Sequence, residues 1–110
     1  MTTREPLERD LELAREYSRR LRERLGDNLV SVTLYGSRAR GDAREGSDFD
    51  LIVRVRERTD EVRELALEVD VEMMNEFEEL FVGVLYDEAE WELESGMPLG
   101  WNVSRDGIAL

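Results

Sequence analysis

Neither cysteine nor histidine occurs among the 110 residues. Without cysteine there is no disulfide, no thiolate nucleophile and no thiolate metal site. Without histidine the usual general base and the commonest zinc ligand are gone. Any metal chemistry falls to carboxylates, which favour hard ions such as magnesium or manganese. Lysine is missing too, so all 15 basic residues are arginine. No apolar run approaches the roughly 20 residues that span a bilayer. The opening stretch, MTTREPLERDLELARE, lacks the apolar centre of a signal peptide. The expectation is a cytoplasmic protein with no membrane association.

Acid is what the chain has in excess. It carries 27 aspartates and glutamates, for a net charge of −12. That argues against nucleic acid as the main partner, because no basic patch is available to neutralise phosphates. Two readings of the bias stand side by side. One is an acidic protein with skewed codon usage. The other is a halophilic surface adapted to high salt. With 41% apolar residues, the length suits one folded domain over residues 1–110 with one core.

Periodicity supplies the elements. Residues 5–25 read as an amphipathic helix on Leu7, Leu11, Ala14, Leu21 and Leu25, with Tyr17 or Ser18 filling the gap and Gly26 as the stop. LVSVTLY, residues 29–35, and FDLIVRV, residues 49–55, are strands rich in branched side chains. A short helix is expected over 38–44, starting at Ser37. Residues 60–79 alternate locally like a strand across 67–74, but Val62, Leu65, Ala66, Val69, Met73, Phe77 and Leu80 fall on one helical face over the longer window. Residues 80–86 make a third strand and 87–95 a short acidic helix around Trp91. Gly96 and Pro98 end it, and a helical turn follows over 101–105. Trp91 and Trp101 form either an interface or the edge of the core. The expected architecture is a small α/β or α+β sheet with packed helices.

The segment LYGSRARGDAREGSDFDLIV carries the chemistry. If both sit on the strand, Asp48 and Asp50 project from one face while Phe49, Leu51 and Val53 point into the core. Two carboxylates so close repel each other unless a cation lies between them. Alternatively, Asp48 lies in the turn and only Asp50 on the strand. Gly36-Ser37 ends the preceding strand just before a helical segment. Glycine there admits a phosphate to the backbone, and the Ser37 hydroxyl and following N–H groups offer it donors. Arg38 and Arg40 are near enough in sequence to add charge-assisted contacts to a triphosphate.

Taken together, Gly-Ser, ten residues, then Asp-x-Asp resembles the signature of the DNA polymerase β-like nucleotidyltransferase superfamily in its minimal single-domain prokaryotic form. The resemblance covers residues 29–56 and is echoed in YDEAEW and NVSRDGIAL. It implies an α+β fold with a small mixed sheet and packed helices. It also implies that Gly36 and Ser37 bind the phosphates of ATP or another nucleoside triphosphate, and that Asp48 and Asp50 are the catalytic, metal-binding carboxylates for magnesium or manganese. The activity implied is nucleotidyl transfer, AMP from ATP above all, to a hydroxyl on a partner. Many members of this form pair as antitoxins with a helical toxin of the HEPN family. The family usually supplies a third carboxylate from the next strand. In LFVGVLYDEAE that place falls on Gly83, expected to face Asp48 and Asp50; were 67–74 a strand, Asp70 or Glu72 would serve. The vacancy keeps a second reading open: a non-catalytic module that binds nucleotide or partner through a degenerate site.

The charge excess has a direct consequence. Self-repulsion at −12 opposes the compact state, and salt screens it. The melting temperature should rise from low salt to molar potassium chloride. A flat profile in calorimetric scans would contradict the halophilic reading.

Overall fold

A computed structural model describes residues 5–110; the first four residues of the stretch examined for a signal peptide lie outside the described residues. A helix, α1 (Glu8–Leu25), and a single 3-10 turn lead into strand β1 (Leu29–Tyr35). A one-turn helix, α2 (Ser37–Arg40), follows, then β2 (Phe49–Val55), α3 (Asp60–Phe77) and β3 (Phe81–Asp87). The chain closes with α4 (Glu88–Ser95), α5 (Pro98–Asp106) and a two-residue strand, β4 (Ile108–Ala109). The sheet order is β3-β2-β1-β4, with β3 parallel to β2 and the other pairs antiparallel. The α+β reading with a small mixed sheet therefore holds.

Local chemistry explains the boundaries. Thr59 caps α3 by accepting the Val62 N–H. Asp87 and Glu90 form a reciprocal capping box that turns the end of β3 directly into α4. Gly41, in the left-handed region, stops α2 well short of residue 44. Pro98 does not merely end the preceding helix. It occupies the first turn of α5, where its missing N–H costs nothing, so the expected turn at 101–105 is part of a nine-residue helix.

The ambiguous segment 67–74 is helical. Ala66, Val69 and Met73 are buried at helical spacing, with Val62, Leu65 and Phe77 packed beside them. The apolar stripe of α1 is turned from the expected one. Leu13, not Leu11, is buried, and Leu7 is 59% exposed. Asp10 takes a core place on that stripe.

Register divides the sheet into two faces. Phe49, Leu51, Val53 and Val55 of β2 point with Val32 and Leu34 of β1 into the core formed with α1 and α3. Asp50, Ile52 and Arg54 point to the opposite face, where α4 and α5 pack. There Trp91 meets Tyr86 at 5.4 Å between ring centres, with Arg54 beside it. Trp91 thus belongs to the edge of the packed layer, while Trp101 is 62% exposed.

One polar pair interrupts the α1–α3 core. Tyr17, fully buried, donates to Asp70 Oδ1 at 2.6 Å, and the Gly83 N–H also reaches that carboxylate. Burial pushes the Asp70 carboxyl up to about 6, against the pull of these two donors. An acid raised in the folded state binds its proton there before it does in the unfolded chain. Between about pH 4 and 6 the folded state therefore holds more protons, and stability falls as pH rises through that window. The wild type should gain on the order of 1–2 kcal/mol from pH 6.5 to 4.5 relative to Asp70→Asn. Parallel denaturant titrations with the same pH slope in both proteins would refute this.

Candidate active site

Strands β1 and β2 bring the two halves of the motif together. Tyr35 pairs across the ladder with Asp50, so the Gly36-Ser37 turn leaves β1 beside the first residues of β2. Gly36 has φ 77°, a conformation that side chains rarely tolerate. A Cβ on it would also stand 2.7 Å from Asp50 Oδ2. Glycine is needed twice over, for its backbone angle and for the carboxylate pressed against it. In α2, the Ala39 and Arg40 N–H groups both return to the Gly36 carbonyl, at 3.1 and 3.0 Å. An anion at this turn would therefore meet the amides of Ser37 and Arg38 first.

Asp48 and Asp50 are not both strand residues. Asp48 is exposed and precedes β2, and only Asp50 stands on it. Their charges still interact. The Asp50 carboxyl is pushed above its ordinary range chiefly by burial, then by the negative charge of Asp48, with Arg40 opposing. The Tyr35 hydroxyl, beside Asp50, is likewise raised, by burial first and then by that carboxylate and Tyr86. A half-buried carboxylate held against a second one is an environment that a divalent cation relieves.

The two arginines part company. Arg40 is exposed, with Nε donating to Asp42 at 3.2 Å and Nη1 facing Asp106 at 3.6 Å. The side chain of Arg38 is turned inward instead, only 7% exposed. Nη1 donates to Asp10 at 3.0 Å, Nη2 to Glu79 at 3.0 Å, and Nε and Nη2 both to the Ser47 carbonyl, at 3.2 and 2.7 Å. Its guanidinium lies 4.5 Å from the centre of the Phe49 ring. Its side chain is therefore committed to holding the loop and cannot also reach a triphosphate. Arg38, Asp10 and Glu79 are the residues whose roles the motif did not reveal. An acid at a core position of α1 was the available signal.

The third carboxylate position needs correction. Leu51 pairs with Gly83 in the parallel ladder, so residue 83 faces the α1–α3 core, away from Asp50. A Cβ there would overlap the Tyr17 hydroxyl and come within 3.4 Å of Asp70, which leaves no room for a carboxylate. The neighbour of Asp50 on its own face is Val82. Asp70 and Glu72 do not substitute. Both belong to α3, on the other side of the sheet, Asp70 bonded to Tyr17 and Glu72 paired with Arg20 and Arg24. Among the described residues, no three acidic side chains are grouped to hold a metal. Asp48 and Asp50 are the acids that could hold a hard cation, with water and phosphate oxygens completing its ligand shell. No helix of the described residues is long and apolar enough to cross a membrane.

Comparison with known proteins finds the same fold. A toxin–antitoxin protein crystallised with AMP-PNP superposes with a TM-score of 0.58 at 20% identity, over 86% of this chain and 69% of its own. A nucleotidyltransferase of provisional assignment from Sulfolobus solfataricus gives 0.53 at 24% identity, over 92% and 78%. At such identities the likeness is one of fold. A protein of Methanocaldococcus jannaschii, provisionally described as a protein adenylyltransferase, is 47% identical over 38 residues, 34% of this chain and about a quarter (26%) of that protein. The nucleotidyltransferase domain model matches residues 14–103, and the chain belongs to that family.

Proposed function

We propose that the protein transfers a nucleotidyl group, AMP from ATP, to a hydroxyl carried by a partner protein. The observation that carries this reading is the approach of Asp50 to the Gly36-Ser37 turn, which puts the Gly-Ser turn and the carboxylates of the motif at one end of the sheet. Ser37 and the turn's amides would receive the triphosphate, with Arg40 at its edge. The acceptor oxygen attacks the α-phosphorus in line. The new O–P bond forms as the bond to the bridging oxygen of pyrophosphate breaks, and the hydroxyl proton is released to water. A magnesium ion held by Asp48 and Asp50 would neutralise phosphate charge and orient the reacting oxygens. The toxin–antitoxin relative and the archaeal relative described as acting on protein support a protein acceptor, and we assign it to a helical, HEPN-type toxin. The acid-rich surface suits a salt-rich cytoplasm.

A second reading keeps the fold without the chemistry, as an antitoxin that works by binding alone. The absence of a three-carboxylate group among the described residues is what favours it. Labelled ATP, magnesium and the partner distinguish the two. Label on the partner supports transfer; a tight complex without label supports binding alone. Asp50→Asn should cut transfer by on the order of 100-fold or more, since even groups outside the ligand shell reach that. Unchanged transfer in that variant would end the reading.

The valine beside Asp50 yields a further outcome. Val82→Asp adds a carboxylate on the correct face at a position already 36% exposed. Calorimetric titration with manganese should show tighter binding than wild type, and metal-free protein should melt lower because three like charges then crowd together. Weaker or equal metal affinity would place the missing ligand elsewhere.

A further inference from the structure

We infer that Asp106 is a positioning residue of the nucleotide site, holding the Arg40 guanidinium at the phosphate end of the cradle. The inference rests on the proposed function and extends it to the end of α5, which the signature motif does not include.

The short strand β4 is what brings Asp106 there. Ile108 pairs with Leu34 and Ala109 with Thr33, antiparallel, and Leu110 N–H donates to the Val32 carbonyl at 3.0 Å. Asp106, the last residue of α5, is separated from this pairing by one residue, and its carboxylate lies 3.6 Å from Arg40 Nη1 of α2. The end of α5 is thus returned to the turn that begins the cradle. Asp106 is 13% exposed in its side chain, while Arg40 is 42% exposed. The carboxylate is the more enclosed member of the pair and the guanidinium the more exposed. Asp42 accepts from Nε on the other flank. An arginine has five N–H donors in a rigid fork, so two flanking carboxylates can fix its plane and still leave donors for a phosphate oxygen. Asp106 is itself steadied by Arg105, at 3.1 and 3.2 Å. These two arginines also hold its carboxyl below the ordinary range, Arg105 more than Arg40, so the anchor stays charged.

The sign of the effect separates this role from simple electrostatics. Removing a negative charge near a triphosphate should tighten binding if charge alone matters. Loss of a positioning group should weaken it. The test is fluorescence titration of the full chain with a fluorescent ATP analogue and magnesium. Asp106→Asn should bind roughly three- to tenfold more weakly than wild type, the worth of holding one rotamer-rich side chain. Asp106→Glu should recover most of the loss. In an Arg40→Gln background the same Asp106→Asn change should cause no further weakening. Equal or tighter binding by Asp106→Asn, or the same loss with Arg40 already removed, would overturn the inference; the second result would mark Asp106 as merely structural, as would a lowered melting temperature without Glu rescue. If the wild type binds no nucleotide, the proposed function falls and this inference with it. If wild type binds and Arg40→Gln weakens it while Asp106→Asn does not, this inference alone fails.

Discussion

The Gly36-Ser37 turn depends on one buried charge beside it. Arg38 lies beneath the Gly36-Ser37 turn with its guanidinium turned to Asp10 of α1, to Glu79 just before β3, and to the Ser47 carbonyl in the loop before β2. Each of these partners sits on a different piece of chain, and α2 itself supplies the arginine. Burying a guanidinium is tolerable only when it is paired and hydrogen-bonded, and removing one partner of such a pair costs about 3–5 kcal/mol. That penalty fixes the approach of the turn to the loop that ends at Asp48. The face of Phe49 adds a cation–π contact. Phe49 then stacks on Phe81, and Phe81 on Tyr17, at 4.4 and 5.6 Å between ring centres. One continuous column of stacked groups thus runs from under the cradle to the centre of the core.

The column ends at Asp70, and here the sheet keeps two acids apart. Asp50 and Asp70 are both raised by burial, but they lie on opposite faces of the sheet and their surroundings differ in kind. Asp70 is satisfied by a phenol and a backbone amide inside the protein, and its perturbation is a cost of building the α1–α3 core. Asp50 is raised by burial first and by the charge of Asp48 second, and a cation beside the two acids would offset that shift. A raised carboxyl marks a functional place only where its environment leaves something unsatisfied.

The sequence made the fold readable where period and punctuation agreed. Strands at 29–35 and 49–55 carry dense branched residues between clear breakers, and twenty residues of helical spacing outweighed eight of alternation at 60–79. It misled where one residue of offset decides the outcome. The face of residue 83 follows from its pairing with Leu51 rather than with Asp50, and no local pattern in FVGVLYD encodes that register. The inward turn of Arg38 was hidden for a related reason. An arginine within a phosphate-loop signature looks like a ligand contact until Asp10 and Glu79, 28 and 41 residues distant, are seen to converge on it. The two-residue β4 is too short for any periodic signal, yet it sets where α5 ends.

These constraints bear on how a two-carboxylate site can work. With Val82 beside Asp50, protein oxygens would supply only part of a magnesium octahedron in the proposed site. Under the proposed function, phosphate oxygens would supply more of it, and ion and nucleotide would each raise the other's affinity through the shared ligand shell. The −12 net charge sharpens this dependence, because a bare triphosphate approaches an acidic protein against its field, whereas the ion-bound form carries less charge. Arg40, an exposed arginine of α2, could offset what remains, and it is already shared between Asp42 and Asp106. In the proposed reaction the cost of the missing carboxylate would therefore fall first on assembly of the ternary complex, and only afterwards on the transfer step.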